Sequence, residues 1–301
     1  MAVPLVAPSQ KRWHWQGLAF FATVCALLIA ACHGEPASPL NELAEARRLS
    51  ADLRLRFSQC SDASNRAVMA DTDEASVAFA HEAEQGKRAV QVDVEKLAPH
   101  LRSLGYAAEG HWLDEFTTCF AEYASLDQTV LALAVENTNL KAQRLSFGPA
   151  QQAADRFRDA IEALVSEAGS KDRCGVEAVA GRAILAIRDI QVLQAPHIAE
   201  ADDAAMTRFE TEMGRLRAVA ADALNELAKR VEVKTALEAA SASLEQFTDL
   251  SAQIVALSRR NSNVRSLALS LRDKPPITAR CEDSLRSLDD ALAKEGFSAT
   301  R

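Results

Sequence analysis

The chain has 301 residues, of which 48% are hydrophobic and 25% are charged, and its formal net charge is -8. With only 11 glycines and 9 prolines, helix breakers are scarce, so the composition favours an all-α protein long enough to hold two domains. Acidic and basic residues are evenly mixed and form no basic stripe, which argues against a nucleic-acid-binding protein.

Residues 1–31 have the features of an export signal. Lys11 and Arg12 precede an apolar run at residues 18–29, and small residues follow it. The run is shorter than the roughly 20 apolar residues that a transmembrane helix needs. We therefore predict a signal peptide over residues 1–31 that is cleaved before Cys32.

The predicted cleavage site resembles the lipobox of bacterial lipoproteins, in which the cysteine is acylated and becomes the first residue of the mature protein. Cys32 follows Ile29, Ala30 and Ala31 in this pattern. The resemblance implies lipidation of Cys32, with residues 32–40 as a short tether. Because the next residue is histidine rather than aspartate, it also implies an outer-membrane location facing the periplasm. The alternative is an ordinary secretory peptide with an incidental cysteine.

Residues 41–170 carry the pattern of four helices, with apolar residues recurring at helical spacing in each segment. The first helix extends to about residue 70, and the second is expected to be broken by Pro99 and Gly105. A third begins near Trp112 and ends around Asn137, and a fourth continues to about residue 168. Four amphipathic helices joined by short turns predict an up-and-down bundle.

The same plan returns in residues 171–298. The segment at residues 136–147 matches residues 260–271, with two asparagines, a leucine and a serine identical, and the turn at residues 69–75 matches residues 198–204. A repeated segment of this length indicates a duplicated structural unit. We therefore predict an all-α fold of two tandem, antiparallel, up-and-down four-helix bundles.

The order of these parts resembles the four-helix-bundle sensor domain of methyl-accepting chemotaxis receptors. The shared parts are a long first helix, an acidic turn, a third helix rich in Phe and Tyr, and a polar turn before a fourth helix of small residues. The resemblance covers about residues 40–170 and again 172–297, and it implies binding of a small ligand or a partner protein. The sequence lacks the second membrane span and signalling segment of such receptors, so we expect an envelope protein partner, and a homodimer is a further candidate assembly.

The paired asparagines are the sharpest polar feature, and they allow two interpretations. With the neighbouring basic residues they supply donors for a pocket that binds a small anion or amino acid. Alternatively, the first asparagine of each pair closes one helix and the second caps the next, which is favoured because a repeated fold needs repeated caps. The candidate ligand-binding residues are Asn137, Asn139, Arg144, Asn261, Asn263 and Arg265.

Four cysteines remain after Cys25 is removed with the signal peptide and Cys32 is assigned to lipid: Cys60, Cys119, Cys174 and Cys281. An even number in an exported protein suggests disulfides. The pairs Cys60–Cys119 and Cys174–Cys281 would keep each bridge within one repeat. Buried thiols are the alternative, since Cys281 takes the place of the core residue Phe157 in the repeat.

The sequence contains no metal-binding spacing of histidines and cysteines, no phosphate-binding loop and no nucleophile motif. We therefore expect no enzyme activity, no metal and no cofactor. The leading hypothesis is a lipid-anchored envelope protein that binds a small ligand or a partner protein. The alternative is a structural spacer without a small-molecule ligand, and a third hypothesis is redox or metal sensing through the four cysteines.

Overall fold

The computed structural model describes residues 38–168, 172–232 and 234–298. The predicted signal peptide and Cys32 lie outside the described residues. Ser38 accepts a hydrogen bond from the backbone N–H of Asn41, and Pro39 occupies the first turn, so the first helix begins at Pro39. The predicted tether, residues 32–40, is therefore shorter at its C-terminal end than expected.

All regular secondary structure in the described residues is helical, which confirms the predicted all-α class. Two of the long helical paths include a single π-helical turn. In chain order the elements are α1 (Pro39–Met69), α2 (Asp73–Leu104), α3 (Ala107–Glu136), α4 (Thr138–Leu145), a first π turn (Ser146–Ala150), α5 (Gln151–Ser166), α6 (Arg173–Ala199), α7 (Asp203–Arg230), α8 (Lys234–Arg260), α9 (Ser262–Ala268), a second π turn (Leu269–Asp273) and α10 (Lys274–Ser298).

The break predicted at Pro99 and Gly105 occurs only at Gly105, and the predicted start of the third helix is wrong. Pro99 does not break α2, because Leu97 and Leu101 on either side of it are buried in the core and hold the helix through the lost hydrogen bond. The helix ends at Leu104, where Gly105 adopts a left-handed conformation with a φ of 72°. As a result α3 begins at Ala107, earlier than the predicted start near Trp112.

Each π turn accompanies a proline. Pro149 lies in the first π turn, and Pro275 follows the second. A proline inside a helix lacks the backbone N–H and clashes with the carbonyl four residues earlier, and a wider π turn relieves both problems. A nearby proline thus accounts for the wider turn in each repeat, although Pro149 lies inside its π turn and Pro275 lies two residues after the other.

The helices form two bundles, but the bundles do not coincide with the two predicted segments of the chain. Bundle 1 contains α1, α2, α3 and α10, and bundle 2 contains α5, α6, α7 and α8. The predicted units 41–170 and 171–298 therefore exchange their fourth helices. The reason is that α3 continues through α4 into α5 with only a single-residue kink, so the chain passes into the next bundle instead of turning back. The path from α8 to α10 does the same in the opposite direction.

The exchange also determines the disulfide. Cys119 on α3 and Cys281 on α10 lie in the same bundle with their Cα atoms 5.6 Å apart, and they are bonded. The predicted pairs Cys60–Cys119 and Cys174–Cys281 are wrong, because Cys119 is bonded to Cys281, which lies in bundle 1 while Cys174 lies on α6 of bundle 2. Cys60 is a buried free thiol and Cys174 an exposed one. Redox or metal sensing through the four cysteines stays a prediction, with Cys119 and Cys281 bonded to each other.

The core of bundle 1 is aromatic, and that of bundle 2 is mainly aliphatic. Phe57 contacts Phe116, Phe120 and Tyr123 edge-to-face, with ring centroids 5.2–6.0 Å apart. In bundle 2 the large buried residues are mostly Ile, Leu and Val, with Phe157 and Phe247. Within the described residues, no helix combines the length and the apolar character required to cross a bilayer.

Candidate ligand-binding site

The two bundles meet end to end at a joint built around Asn137 and Asn261. Both residues adopt the left-handed helical conformation, with φ values of 49° and 54°. Asparagine tolerates this conformation better than other residues with a Cβ. Each asparagine therefore ends one helix and redirects the chain into the next, as the capping interpretation expects for these two positions.

The helices that begin after these kinks, α4 and α9, are capped by each other: side chains at the start of one accept hydrogen bonds from backbone N–H groups of the other. The backbone N–H groups of Thr138 and Asn139 donate to Ser262 Oγ (3.1 Å) and Asn263 Oδ1 (3.1 Å) of the other repeat. In return, the N–H groups of Ser262 and Asn263 donate to Thr138 Oγ1 (3.0 Å) and Asn139 Oδ1 (3.2 Å). Each side chain thus satisfies a free N–H at the start of the opposite helix. The predicted caps act between the repeats and not within one.

The asparagine amides also bind the turn that closes bundle 2. Asn139 Nδ2 donates to Ile198 O (2.6 Å) and to Asn261 Oδ1 (2.8 Å), and Asn261 Nδ2 donates to Glu200 O (2.8 Å). Asn263 Nδ2 donates to Asn137 Oδ1 (2.9 Å). These bonds commit the asparagines to the joint itself.

The basic residues of the predicted site are directed mainly to nearby carboxylates and carbonyls. Arg144 pairs with Asp73 at 3.1 Å, and Lys141 Nζ donates to the carbonyl of Glu136 at 2.8 Å. Arg265 has no hydrogen bond within the described part of the chain. The structure brings the four asparagines together but does not gather the two arginines with them around a cavity, so ligand binding at the joint stays a prediction.

The best-formed polar feature of bundle 1 is a buried ionic layer around Asp127. Asp127 is inaccessible to solvent and accepts hydrogen bonds from Ser64 Oγ and from Lys274 Nζ (3.1 Å). Lys87 Nζ forms an ion pair with Asp127 Oδ2 at 3.0 Å, without hydrogen-bond geometry, and a second with Glu84 at 2.6 Å. Burial alone would lower the pKa of Lys87, but Glu84 and Asp127 outweigh it and raise that pKa. Two ammonium groups therefore face two carboxylates.

The equivalent layer of bundle 2 can be located from the helix caps. Thr72 and Asp202 are the N-caps of α2 and α7, and each accepts from the N–H three residues later. Counted from these caps, Glu84 and Lys87 correspond to Gly214 and Arg217. Bundle 2 therefore keeps the cation and replaces its acidic partner by glycine.

The remaining members of the layer differ as well. Counted from the paired Asn137 and Asn261, Asp127 corresponds to Ser251 and Lys274 to Ala150. The C-caps of α1 and α6, Ala70 and Glu200, place Ser64 opposite Gln194. Both carboxylates and one ammonium of bundle 1 are thus absent from bundle 2.

A cavity of about 280 Å³ opens where bundle 2 lacks these side chains. A Cβ atom built on Gly214 would have no atom within 4 Å, so the absence of a side chain there opens the space between α7 and α8. Hydrophobic residues form most of the lining and the polar groups lie among them. The lining residues are Ile190, Glu210, Met213, Gly214, Arg217, Phe247, Thr248, Ser251, Ala252 and Val255.

Two polar side chains of the cavity have no partner among the described residues. These are the exposed guanidinium of Arg217 and the hydroxyl of Thr248. Ser251 Oγ accepts a hydrogen bond from Gln194 Nε2 at 3.1 Å, which leaves its hydroxyl proton available for donation. Each free polar group of the cavity can therefore donate a hydrogen bond, and Arg217 adds a positive charge that no described residue compensates.

The one carboxylate that lines the cavity, Glu210, already has its negative charge compensated by neighbouring residues. Arg259 donates to both of its oxygens (2.6 and 3.0 Å), and Nε2 of the buried His197 lies 2.8 Å from Oε1. The hydrogen bonds from Arg259 hold the pKa of Glu210 below its ordinary value, against the opposing effect of partial burial. Glu210 is thus ionised at neutral pH and has its charge compensated within the protein.

A buried chain of hydrogen bonds joins the cavity to the joint. Ser146, at the start of the first π turn, donates to Gln194 Oε1 at 2.7 Å, and Gln194 Nε2 donates to Ser251 in the cavity wall. Gln194 is almost completely buried, so its bond to Ser146 is shielded from water, and its bond to Ser251 is partly buried. A change at Ser251 can therefore reach the π turn through two side chains.

Gly214, Arg217 and Ser251 were not among the residues that the sequence patterns predicted. The repeat did contain a signal for this site. The second repeat lacks acids at the positions equivalent to Glu84 and Asp127, and it keeps a cation at the position equivalent to Lys87. Reading that signal requires the register of the helices, which the caps of the folded protein provide.

A larger groove of about 580 Å³ lies between α3 and α10 in bundle 1, beside Cys119. Its lining includes the carboxylates of Asp114, Glu115, Glu122 and Asp283, and the one arginine there, Arg280, pairs with Glu122. The lining of this groove therefore lacks the unpaired arginine that distinguishes the cavity of bundle 2.

Comparison with known proteins identifies a fold and no family. No family model matches the chain, and no curated protein sequence matches it. Among solved structures, the sensor domain of the V. parahaemolyticus histidine kinase sensor TorS aligns with a TM-score of 0.52 and 13% identity, covering 82% of this chain and 99% of that one. The fold is thus similar to that of a helical sensor domain.

A second structure, the TorS sensor domain–TorT complex in the presence of TMAO, aligns with 14% identity over 85% of this chain and 100% of that one. Its TM-score of 0.32 is too low to indicate a shared arrangement of the helices. The resemblance to chemoreceptor sensor domains suggested by the sequence stays a prediction beside the match to the kinase sensor domain.

Proposed function

We propose that this protein is a lipid-anchored sensor-type protein of the cell envelope that binds a small molecule non-covalently in the cavity of bundle 2. The observation that carries the proposal is the cavity itself, which opens at Gly214 where the duplicated bundle is filled by charged side chains. A cavity with an apolar wall and a few convergent polar groups is the usual form of a small-molecule site.

The hydrogen-bond chain from Ser251 to Ser146 supports a sensing role over simple binding. A sensor needs its ligand to favour one arrangement of the protein over another. The chain ends at a π turn next to the joint, and π turns are local irregularities that occur often at functional sites. A ligand that contacts Ser251 therefore has a physical route to the connection between the bundles.

The anchor is a separate part of the proposal and rests on the sequence of residues 1–32. We propose that Cys32 carries lipid and holds the domain at the outer membrane, facing the periplasm, where an envelope protein partner receives the signal. Growth of an expressing bacterium with an alkyne-tagged fatty acid should label the full chain, and Cys32→Ser should abolish the label. Equal labelling of the variant would contradict lipidation at Cys32.

The binding proposal is tested by thermal unfolding of the purified full chain in detergent, against amino acids, organic acids, amines and sugars. A ligand at one hundred times its Kd stabilises the folded state by about 2.7 kcal/mol, which raises the Tm measurably. Gly214→Leu should remove this rise by filling the cavity. Gly181→Leu is the matched control, because Gly181 lies mid-helix with open space around it but does not line the cavity.

The alternative function is a structural spacer, which the end-to-end joining of two bundles favours. A spacer gains nothing from an open cavity, so it predicts that no compound in the panel raises the Tm. A ligand-induced rise that Gly214→Leu removes and Gly181→Leu keeps would exclude a purely structural role.

A further inference from the structure

We propose that the ligand of the bundle 2 cavity is a small organic anion, a carboxylate on a short apolar chain, whose charge replaces the two carboxylates that bundle 1 supplies from its own residues. This inference rests on the proposed function, since it assumes that the cavity binds a small molecule. It adds the chemical class of that molecule.

The two equivalent layers, around Asp127 in bundle 1 and around Ser251 in bundle 2, differ in charge. In bundle 1 the cation Lys87 lies 2.6 Å from Glu84 and 3.0 Å from Asp127. In bundle 2 the equivalent cation, Arg217, has Gly214 and Ser251 in the places of those acids and forms no ion pair with any described residue. A guanidinium binds a carboxylate through two parallel hydrogen bonds, so the missing partner is one that a carboxylate ligand can supply.

The hydrogen-bonding groups that are free in the cavity of bundle 2 also favour an anion. Arg217, Thr248 and Ser251 all have protons to donate, and none needs a further donor. Glu210, the only carboxylate in the wall, has both oxygens occupied by Arg259 and His197. An ammonium ligand would be repelled by Arg217 and would find no uncompensated carboxylate, whereas an anion can accept a hydrogen bond from each of the three free groups.

The size and polarity of the wall also restrict the ligand. Ile190, Met213, Phe247 and Val255 cover the sides of the cavity, and these surfaces favour an apolar body. The volume of about 280 Å³ lies just below the usual range of drug-sized pockets. A carboxylate with a chain of a few carbons fits both conditions, and a long-chain fatty acid or a sugar acid does not.

The test uses three probes with the same chain and different head groups: pentanoate, pentanamide and pentylamine. Isothermal titration calorimetry on the full chain in detergent at pH 7.5 measures the Kd of each. We expect pentanoate to bind at least tenfold more tightly than pentanamide, because a hydrogen bond to a charged group is stronger than a neutral one, and pentylamine to show no binding. Arg217→Gln should reduce the advantage of pentanoate over pentanamide to less than about threefold.

Arg217 is exposed and unpaired, so Arg217→Gln should fold as the parent protein does. The anion inference is overturned if pentylamine or pentanamide binds as tightly as pentanoate, if Arg217→Gln leaves the preference intact, or if none of the three binds. In each case the proposed function is judged separately. A different compound whose binding Gly214→Leu abolishes would keep the cavity as a binding site and reject only the ligand class, whereas no Gly214-dependent binding by any compound would reject both.

Discussion

The layer around Asp127 in bundle 1 and the layer around Ser251 in bundle 2 occupy equivalent positions of a duplicated fold. One is closed, with two ammonium groups and two carboxylates packed between the helices. The other keeps a single unpaired cation beside a cavity. Because the helices and caps around them correspond, the difference lies in a few side chains. Bundle 2 has Gly214 and Ser251 where bundle 1 has Glu84 and Asp127.

The two layers compensate their cations in different ways, since Lys87 is buried among carboxylates and Arg217 is exposed at the cavity. In bundle 1 the charges compensate each other inside the protein, and such clusters contribute little net stability but penalise any change that removes one member. In bundle 2 the compensation must come from outside, which is what makes the layer suitable for a ligand. Substitutions at equivalent positions should therefore have very different consequences.

The largest effect is expected from Asp127→Asn. It leaves Lys274 buried without a carboxylate and Lys87 with only the half-exposed Glu84, which should lower the free energy of unfolding by about 3–5 kcal/mol. The matched change Ser251→Ala removes one hydrogen bond and should cost about 1 kcal/mol. Urea denaturation of both variants measures the difference, and equal losses would contradict the distinction between the two layers.

The next effect concerns the disulfide, which ties α3 to the exchanged helix α10 across 162 residues of sequence. Cys281→Ser should lower the free energy of unfolding by about 2–4 kcal/mol, since the bond restricts the unfolded chain. Cys174→Ser, at the exposed free cysteine, should leave it unchanged. If the two variants unfold alike, Cys119 and Cys281 are not bonded in the protein.

A smaller effect separates the two asparagines of the joint. Asn261 both accepts from Asn139 and donates to Glu200 O, whereas the amide nitrogen of Asn137 has no partner among the described residues. Asn261→Ala should therefore cost about 1 kcal/mol more than Asn137→Ala, beyond the strain that alanine meets in the left-handed conformation. A glycine variant at either position lacks the same amide as the alanine variant but has no strain in the left-handed conformation. The melting curves of the glycine variants therefore provide the control. The order would be contradicted if Asn137→Ala were the more damaging.

The smallest effect is a pH dependence at the wall of the cavity. The pKa of Glu210 lies below its ordinary value of 4.5 in the folded protein, so its contribution to stability is present above about pH 4.5 and is lost as the pH falls through the lowered pKa. The stability difference between the parent protein and Glu210→Gln should shrink on acidification from pH 6 to pH 3. A difference that grows over this interval would show the opposite shift.

Much of the fold follows from local sequence. The helical spacing of apolar residues predicted the long helices, and the two Asn-x-Asn segments marked the kinks, because asparagine is one of the few residues that tolerates a left-handed turn. The exchange of fourth helices could not be predicted in this way. Phe157 and Leu285, on the two exchanged helices, are both buried apolar residues, and either helix could supply a core residue to either bundle. Local patterns specify which face of a helix is buried but not which neighbour covers it.

The candidate site was harder to predict for a second reason. The number of residues between equivalent positions of the two repeats is not the same for the third and fourth helices as for the first two. In addition, the sequence match of the turns at 69–75 and 198–204 is one residue out of register with the caps Thr72 and Asp202. An error of one residue moves a helical position by about 100° around the axis. Gly214 and Arg217 therefore could not be set opposite Glu84 and Lys87 until the caps were known.

The central claim is that bundle 2 binds an anion because it lacks the carboxylate that bundle 1 provides, and Gly214→Glu tests it most directly by restoring that carboxylate three residues before Arg217, as Glu84 stands before Lys87. Gly214→Gln controls for the added bulk without the charge. We expect the calorimetric Kd for pentanoate to rise more than a hundredfold in Gly214→Glu and distinctly less in Gly214→Gln. Unchanged binding of pentanoate by Gly214→Glu would contradict the claim.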